Sequence, residues 1–147
     1  EALSDEYIFI VKYHYLVSDK IDWTPYKGFV YTFDETKDIA WLYLVSDMLI
    51  TDYSSVMFDY SILNRPMLFF AYDLEDYKEN LRGFYFDFVN DIPGPISRDT
   101  DQLIKDIKEY NEDSWKEKYK NYHDKFNGID DGHASQKVID VIKKVSR

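Results

Sequence analysis

Short apolar runs alternate with amphipathic polar segments along this chain. The apolar runs are rich in β-branched and aromatic residues and predict strands at Tyr7–Tyr13, Phe29–Phe33, Met48–Thr51 and Met67–Ala71. The other segments predict helices at about 36–46, Ser55–Leu63, Asp73–Asn80, 99–110, 112–126 and 133–145. Ile8–Val11 is apolar at every position, which predicts a strand buried on both faces. The alternation of strands and helices predicts an α/β domain, a Rossmann-like parallel sheet with flanking helices.

Turn and capping signals set the expected boundaries of these elements. Asp34–Thr36 is expected to cap the helix at about 36–46, and Asp91–Pro95 is expected to be a loop. The chain opens on Glu1–Glu6 without an initiator methionine, so we expect these residues to be the tail of a helix or loop from a longer protein.

Composition narrows the class of protein. With 147 residues, 45% of them hydrophobic, the chain can form one domain with a core. The formal net charge of −10 argues against a broad basic face for nucleic acid. An anionic ligand would need local positive charge, for which Lys12, Arg65 and Arg82 are candidates. Cysteine is absent, which excludes disulfides and thiolate metal sites. No apolar run reaches the ~20 residues of a membrane helix.

The segment Thr51–Ser55 joins a predicted buried strand to a predicted helix. Ligands of parallel sheets bind outside the carboxyl ends of the strands, and a helix N-terminus leaves backbone N–H groups unpaired. We predict that the hydroxyls of Ser54 and Ser55, with the N–H groups of Ser55 and Val56, hold a phosphate. A simple N-cap would need only one side chain. Asp59, one helical turn further, accepts hydrogen bonds from sugar or polyol hydroxyls, anchors a nearby cation, or is a solvated helix residue.

Two further groups are candidates. Lys12, Tyr13 and His14 end the first strand, so a single sheet would place them at the same edge as the serines. Histidine suits phosphoryl transfer as acid, base or cation, although a lone histidine is more often structural. Arg82 precedes an aromatic segment, 83–88, that could stack a base, cover the site or simply pack. Phosphate-binding glycine loops, nucleophile elbows and metal-ligand spacings are absent, so we predict neither a metal nor a cofactor.

Taken together, several segments resemble the CDP-glycerol glycerophosphotransferase family, the teichoic acid polymerases and primases. The matching segments occur in family order and are Asp47–Tyr60, Asn64–Phe70, Leu81–Phe88, Pro93–Pro95 and Asp131–Ser135. The resemblance implies that residues 1–147 are a single nucleotide-binding domain, the C-terminal half of a GT-B fold, with the N-terminal acceptor domain absent. The chain departs from the family at Tyr15, where many relatives have proline, and at His133, where lysine is common.

The resemblance also implies roles for the candidate residues. Ser54 and Ser55 would bind the phosphates of CDP-glycerol, and Asp59 would contact the ligand. Lys12 and Tyr13 would belong to the segment that carries the active-site His14, and the general base would be a histidine of the missing half. Arg82 would be a further substrate-binding residue.

The implied reaction is transfer of glycerol phosphate from CDP-glycerol, or ribitol phosphate from CDP-ribitol, to a lipid-linked polyol-phosphate acceptor with release of CMP. Such an enzyme would be peripheral on the cytoplasmic face of the bacterial membrane, and this piece alone would bind donor without turnover. The sequence leaves the donor polyol and the choice between primase and polymerase open. The alternatives are another GT-B nucleotide-sugar enzyme, such as a UDP-sugar glycosyltransferase or epimerase, and a non-catalytic partner-binding domain.

Overall fold

The structure is a computed structural model that describes residues 2–14, 17, 21–34, 36–78 and 83–146. Its strands are β1 (Phe9–Val11), β2 (Val30–Thr32), β3 (Leu49–Thr51), β4 (Met67–Phe70) and β5 (Ile96–Ser97). Its α-helices are α1 (Ile39–Val45), α2 (Val56–Ser61), α3 (Leu74–Asp76), α4 (Phe88–Asp91), α5 (Thr100–Lys108), α6 (Glu112–Phe126) and α7 (Ala134–Val145). A 3₁₀ turn spans Thr24–Tyr26. The predicted α/β class is confirmed.

In the described residues all strand pairs are parallel, but they form two ladders instead of one continuous sheet. β1 pairs with β2, while β3, β4 and β5 pair in that order. Thr51 of β3 lies opposite Phe69 of β4, and Phe70 lies opposite Ser97 of β5. The carboxyl ends of β3, β4 and β5 therefore meet at one edge, and the loops that follow them lie side by side.

The core surrounds the three-stranded ladder. β4 is its central strand, and Met67, Leu68 and Phe69 are completely buried. Tyr60 of α2 and Tyr122 of α6 are also buried in the core. Burial of each such side chain contributes roughly 1.5–3 kcal/mol to stability, which is why the apolar runs at β3 and β4 predict core strands.

The first helix begins later than the sequence predicted. Asp34 does not cap it; its carboxylate accepts hydrogen bonds from the backbone N–H and hydroxyl of Thr36, at 2.9 and 2.8 Å, in a local turn. The cap is Asp38, whose Oδ1 accepts from the Ala40 N–H at 2.9 Å. Both aspartates are good capping residues, and the apolar periodicity that starts at Ile39 decides between them.

The prediction that the first strand is buried on both faces is wrong for the chain as described. Ile8 is 66% exposed, and Phe9 and Ile10 are exposed by 36% and 37%. An apolar strand is covered on both faces only if other layers pack on it. Among the described strands β1 pairs with β2 alone, so its apolar side chains stay exposed.

The segment around residues 87–97 was predicted incompletely. Asp91 lies at the end of α4 and not in a loop, because Asp87 caps a helix at Phe88 through the Asn90 N–H. The strand β5 was missed because it is only two residues long. Gly94 lets this segment approach β4, since a Cβ at Gly94 would overlap the Met67 carbonyl oxygen.

Candidate functional site

The turn after β3 is built by its own polar side chains. Asp52 Oδ1 accepts a hydrogen bond from the Ser54 N–H at 3.0 Å, and Ser54 Oγ accepts from the Val56 N–H at a long 3.4 Å. Ser55 is the N-cap residue of α2, but its side chain makes no capping hydrogen bond. Ser55 is exposed, so its hydroxyl is available to a ligand.

This geometry refines how the turn could hold a phosphate. The Val56 N–H, which we predicted to face the ligand, already donates weakly to Ser54 Oγ. Because α2 has six residues, its dipole is a small contribution. The two serine hydroxyls therefore remain as groups that this turn offers to an anion, and the role of the Ser55 N–H stays a prediction. They lie at the carboxyl edge of the three-stranded ladder, where the fold class places ligands.

Asp59 lies exposed in the first turn of α2, four residues after Ser55. Its negative charge affects the pKa of Tyr43 in the neighbouring helix α1. Burial, and then the negative charge of Asp59, raises the pKa of Tyr43 to about 12.

The Lys12–His14 segment follows β1, in the other ladder. Tyr13 supports the fold, because its hydroxyl accepts hydrogen bonds from Trp23 Nε1 at 2.6 Å and from the Ile21 N–H at 3.2 Å. Lys12 is half-buried and His14 is exposed, with the His14 carbonyl accepting from the Val17 N–H at 2.9 Å. The expectation that this segment and the serines share one edge assumed a single sheet, and it stays a prediction.

Arg82 lies outside the described residues, but the aromatic segment after it is described. Phe84 stacks on Phe88 with ring centroids 4.6 Å apart and also contacts Tyr53 at 5.6 Å. Phe88 is buried, whereas Tyr85 is fully exposed. Of the alternatives for this segment, packing is confirmed for Phe84 and Phe88.

Arg65 is not available to the serine turn. Its Nη1 donates to the carbonyl oxygens of Tyr43, Leu44 and Ser46, at 3.2, 3.0 and 2.7 Å, and so binds the C-terminal end of α1. It also precedes β4, whereas the serine turn follows β3. Because these strands are parallel, the two positions lie at opposite edges of the ladder.

Arg98 is a cation at the carboxyl edge of the three-stranded ladder, where the serine turn also lies. The sequence did not reveal this position. Arg98 follows β5 directly and is exposed. Its Nη2 makes a 3.4 Å ion pair with Glu75, and its charge partly offsets the raised pKa of Tyr53, the residue before the serines. The signal was hidden because β5 was not predicted, so Arg98 could not be assigned to this edge.

The described residues lack two other kinds of feature. In this part of the chain no group of three or more histidine or acidic side chains could hold a metal ion. No described helix is both long and apolar enough to cross a membrane.

Comparison with known proteins identifies the family. The model of the CDP-Glycerol:Poly(glycerophosphate) glycerophosphotransferase family matches residues 1–144. The chain belongs to this family. The resemblance inferred from the serine turn and the segments after it is thereby confirmed.

Individual members of the glycerophosphotransferase family are similar over nearly the whole chain. The teichoic acid poly(glycerol phosphate) polymerase of Bacillus subtilis strain 168 is 45% identical, over 98% of this chain and 20% of its own length. The teichoic acid poly(ribitol-phosphate) polymerase of Bacillus spizizenii strain W23 is 43% identical, over 95% of this chain and 22% of its own length. The chain spans about a fifth of either polymerase.

Solved structures agree with the fold. A histidine-to-asparagine variant of the wall teichoic acid polymerase TagF, soaked with CDPG, matches with a TM-score of 0.84 at 41% identity. The match covers 97% of this chain and 36% of the solved chain. The parallel α/β arrangement described above therefore matches the arrangement of part of the solved TagF chain.

Proposed function

We propose that this chain is a domain that provides the CDP-polyol site of a teichoic acid glycerophosphotransferase. The observation that carries the proposal is the serine turn at the carboxyl edge of the β3–β4–β5 ladder, with the Ser55 hydroxyl exposed and unused by the helix cap. Family membership supports it, as does the CDPG named for the TagF structure that matches this chain.

Phosphoryl transfer depends mostly on positioning and on stabilising charge. Ser54 and Ser55 donate hydroxyl hydrogen bonds to the diphosphate, and Asp59 accepts from polyol or ribose hydroxyls. Arg98 supplies positive charge at the same edge of the ladder. His14 faces the transferring phosphate, with Lys12 and Tyr13 beside it.

The proposed reaction is a substitution at phosphorus. A hydroxyl oxygen of the acceptor attacks the glycerol-side phosphorus of CDP-glycerol, the bond from this phosphorus to the bridging oxygen breaks, and CMP leaves with that oxygen. The hydroxyl proton passes to a general base outside this chain. The acceptor is a lipid-linked polyol phosphate on the cytoplasmic face of the bacterial membrane. With a net charge of −10, this domain has no broad basic face for anionic lipid, so membrane contact is assigned to other parts of the enzyme.

Donor selectivity tests the proposal. The chain would be titrated calorimetrically with CDP-glycerol, CDP-ribitol, CMP and UDP-GlcNAc. We expect the cytidine ligands to bind and UDP-GlcNAc to bind much more weakly. Relatives named for glycerol phosphate and for ribitol phosphate match at similar identity, and the preferred polyol would separate those two subfamilies. Preference for UDP-GlcNAc would favour another GT-B nucleotide-sugar enzyme, and binding of no nucleotide would favour a partner-binding domain.

A further inference from the structure

A hydrogen bond joins two loops at the carboxyl edge of the three-stranded ladder. The Tyr53 hydroxyl donates to Asp73 Oδ1 at 2.8 Å, although twenty residues separate the two in sequence. Tyr53 is the residue directly before the serines, in the loop after β3, and Asp73 lies in the loop after β4. The bond therefore fixes the serine turn to the neighbouring strand's loop.

The Tyr53 ring is also held by other rings. It stacks on Tyr77 with centroids 4.0 Å apart and an interplanar angle of 23°. Phe84 and Phe88 contact it at 5.6 and 5.5 Å. A ring packed among aromatic neighbours has few rotamers available, so the hydroxyl is presented to Asp73 in one orientation. The backbone that carries Tyr53 is the same backbone that carries Ser54.

The serine turn needs such support. Its own hydrogen bonds are local: Asp52 to the Ser54 N–H at 3.0 Å and Ser54 Oγ to the Val56 N–H at 3.4 Å. These bonds shape the turn, but they do not fix its place relative to the next strand. The Tyr53–Asp73 bond does so, because Asp73 follows the buried central strand β4.

We infer that Tyr53 is a positioning residue for the donor site, acting through its hydroxyl bond to Asp73 to hold the Ser54–Ser55 hydroxyls in place. The inference rests on the proposed function. It makes two distinct claims: the bond orders the turn, and this order is needed for donor binding.

The first claim is tested without any ligand. The Met57 and Phe58 N–H groups donate to the carbonyl oxygens of Ser54 and Ser55, at 3.3 and 3.0 Å, so their hydrogen exchange reports on the turn. We expect Tyr53→Phe to exchange about tenfold faster at these two amides, because one bond to a charged acceptor is lost. Asp73→Ala should match it, and Asp73→Asn, which keeps an acceptor oxygen, should stay closer to the wild type.

A matched control separates positioning from ordinary stability. The Tyr119 hydroxyl donates to the Arg65 carbonyl oxygen at 2.6 Å, at the opposite edge of the ladder. Tyr119→Phe therefore loses one tyrosine hydroxyl bond away from the serines. It should leave the exchange at Met57 and Phe58 and the affinity for CDP-glycerol unchanged.

The second claim is tested by titrating the same variants with CDP-glycerol. We expect Tyr53→Phe and Asp73→Ala to bind about tenfold more weakly, and Ser54→Ala/Ser55→Ala to lose more. Equal effects of Tyr53→Phe and Tyr119→Phe on exchange and affinity would overturn the inference. Loss of binding in the serine variant with normal binding in Tyr53→Phe would overturn it while leaving the proposed function intact. If the wild type binds no CDP-polyol, the proposed function fails, and exchange alone decides whether Tyr53 holds the turn.

Discussion

Replacing two arginines of this chain should have different effects: one replacement should lower stability, and the other should weaken ligand binding. Arg65 lies before β4 and binds the end of α1, whereas Arg98 lies after β5 at the edge of the serine turn. The change in each case is arginine to methionine, which keeps the apolar stem and removes the guanidinium.

The magnitude for Arg65→Met follows from its contacts. Nη1 carries two hydrogens and lies within reach of three carbonyl oxygens at 2.7–3.2 Å, so about two good bonds are lost. Bonds to charged groups contribute about 1.5–3 kcal/mol each, but Arg65 is partly exposed, and solvent screening reduces each bond to about 1 kcal/mol. Adding about 0.5 kcal/mol for a cation at a helix C-terminus gives a loss of roughly 2–3 kcal/mol. For a domain of this size that corresponds to a fall in Tm of about 5–10 °C.

Arg98→Met is the matched control. The guanidinium of Arg98 makes an exposed 3.4 Å pair with Glu75, and surface pairs contribute about 0–1 kcal/mol. Urea unfolding, followed by far-UV circular dichroism with the slope m checked for constancy, measures both variants. Calorimetric titration with CDP-glycerol then measures binding. We expect Arg65→Met to lose stability with unchanged affinity, and Arg98→Met to keep stability with weaker affinity. Loss of donor affinity in Arg65→Met, with unfolding unchanged, would refute the assignment of the two arginines to opposite edges.

The remaining predictions concern packing and buried tyrosines. In the same urea titration, Gly94→Ala should lower the free energy of unfolding by at least about 3 kcal/mol, because its Cβ would meet a backbone carbonyl. Gly28 has no atom within 4 Å of a Cβ but has a φ of +96°, so Gly28→Ala should lower it by only about 1 kcal/mol. Tyr122→Phe should raise the free energy of unfolding by about 1 kcal/mol, because the buried Tyr122 hydroxyl has no partner in the described chain. Tyr119→Phe should lower it by about 1 kcal/mol, and a decrease in both variants would contradict this. Burial raises the pKa of Tyr43 from 10.0 to about 12. Its contribution to the free energy of unfolding is therefore fully present below pH 10 and is lost as the pH rises towards 12. Tyr43→Phe should therefore flatten the decline of unfolding free energy over that range, and an unchanged pH profile would count against it.

The three-stranded ladder could be predicted where local sequence and burial agree. Met67–Phe70 is a buried apolar run, and the structure makes it the central strand. The helix predicted at 112–126 is α6 with the same bounds, because Asn111 caps it and its apolar positions recur at helical spacing. The serine turn was visible because it joins a strand to a helix.

Other features depend on tertiary context that a sequence pattern does not carry. β5 is two residues long and exists because Gly94 permits close approach to β4, so the position of Arg98 at the same edge of the ladder as the serine turn was hidden. Arg65 looked like a ligand cation because its sequence position is close to the motif, yet the direction of β4 places it at the other edge. The apolar run of β1 indicated burial, but burial depends on what packs against it.

The central claim is that the two serine hydroxyls of this chain bind the donor phosphates. The most direct measurement is a calorimetric titration of CDP-glycerol into the wild type, Ser54→Ala/Ser55→Ala, and the control Ser114→Ala, which removes an exposed hydroxyl from the first turn of α6. Loss of two hydroxyl bonds to a charged group predicts at least about a tenfold weaker Kd for the first variant and no change for the control. Equal affinity of all three proteins, or no binding by the folded wild type at millimolar CDP-glycerol, would contradict the account.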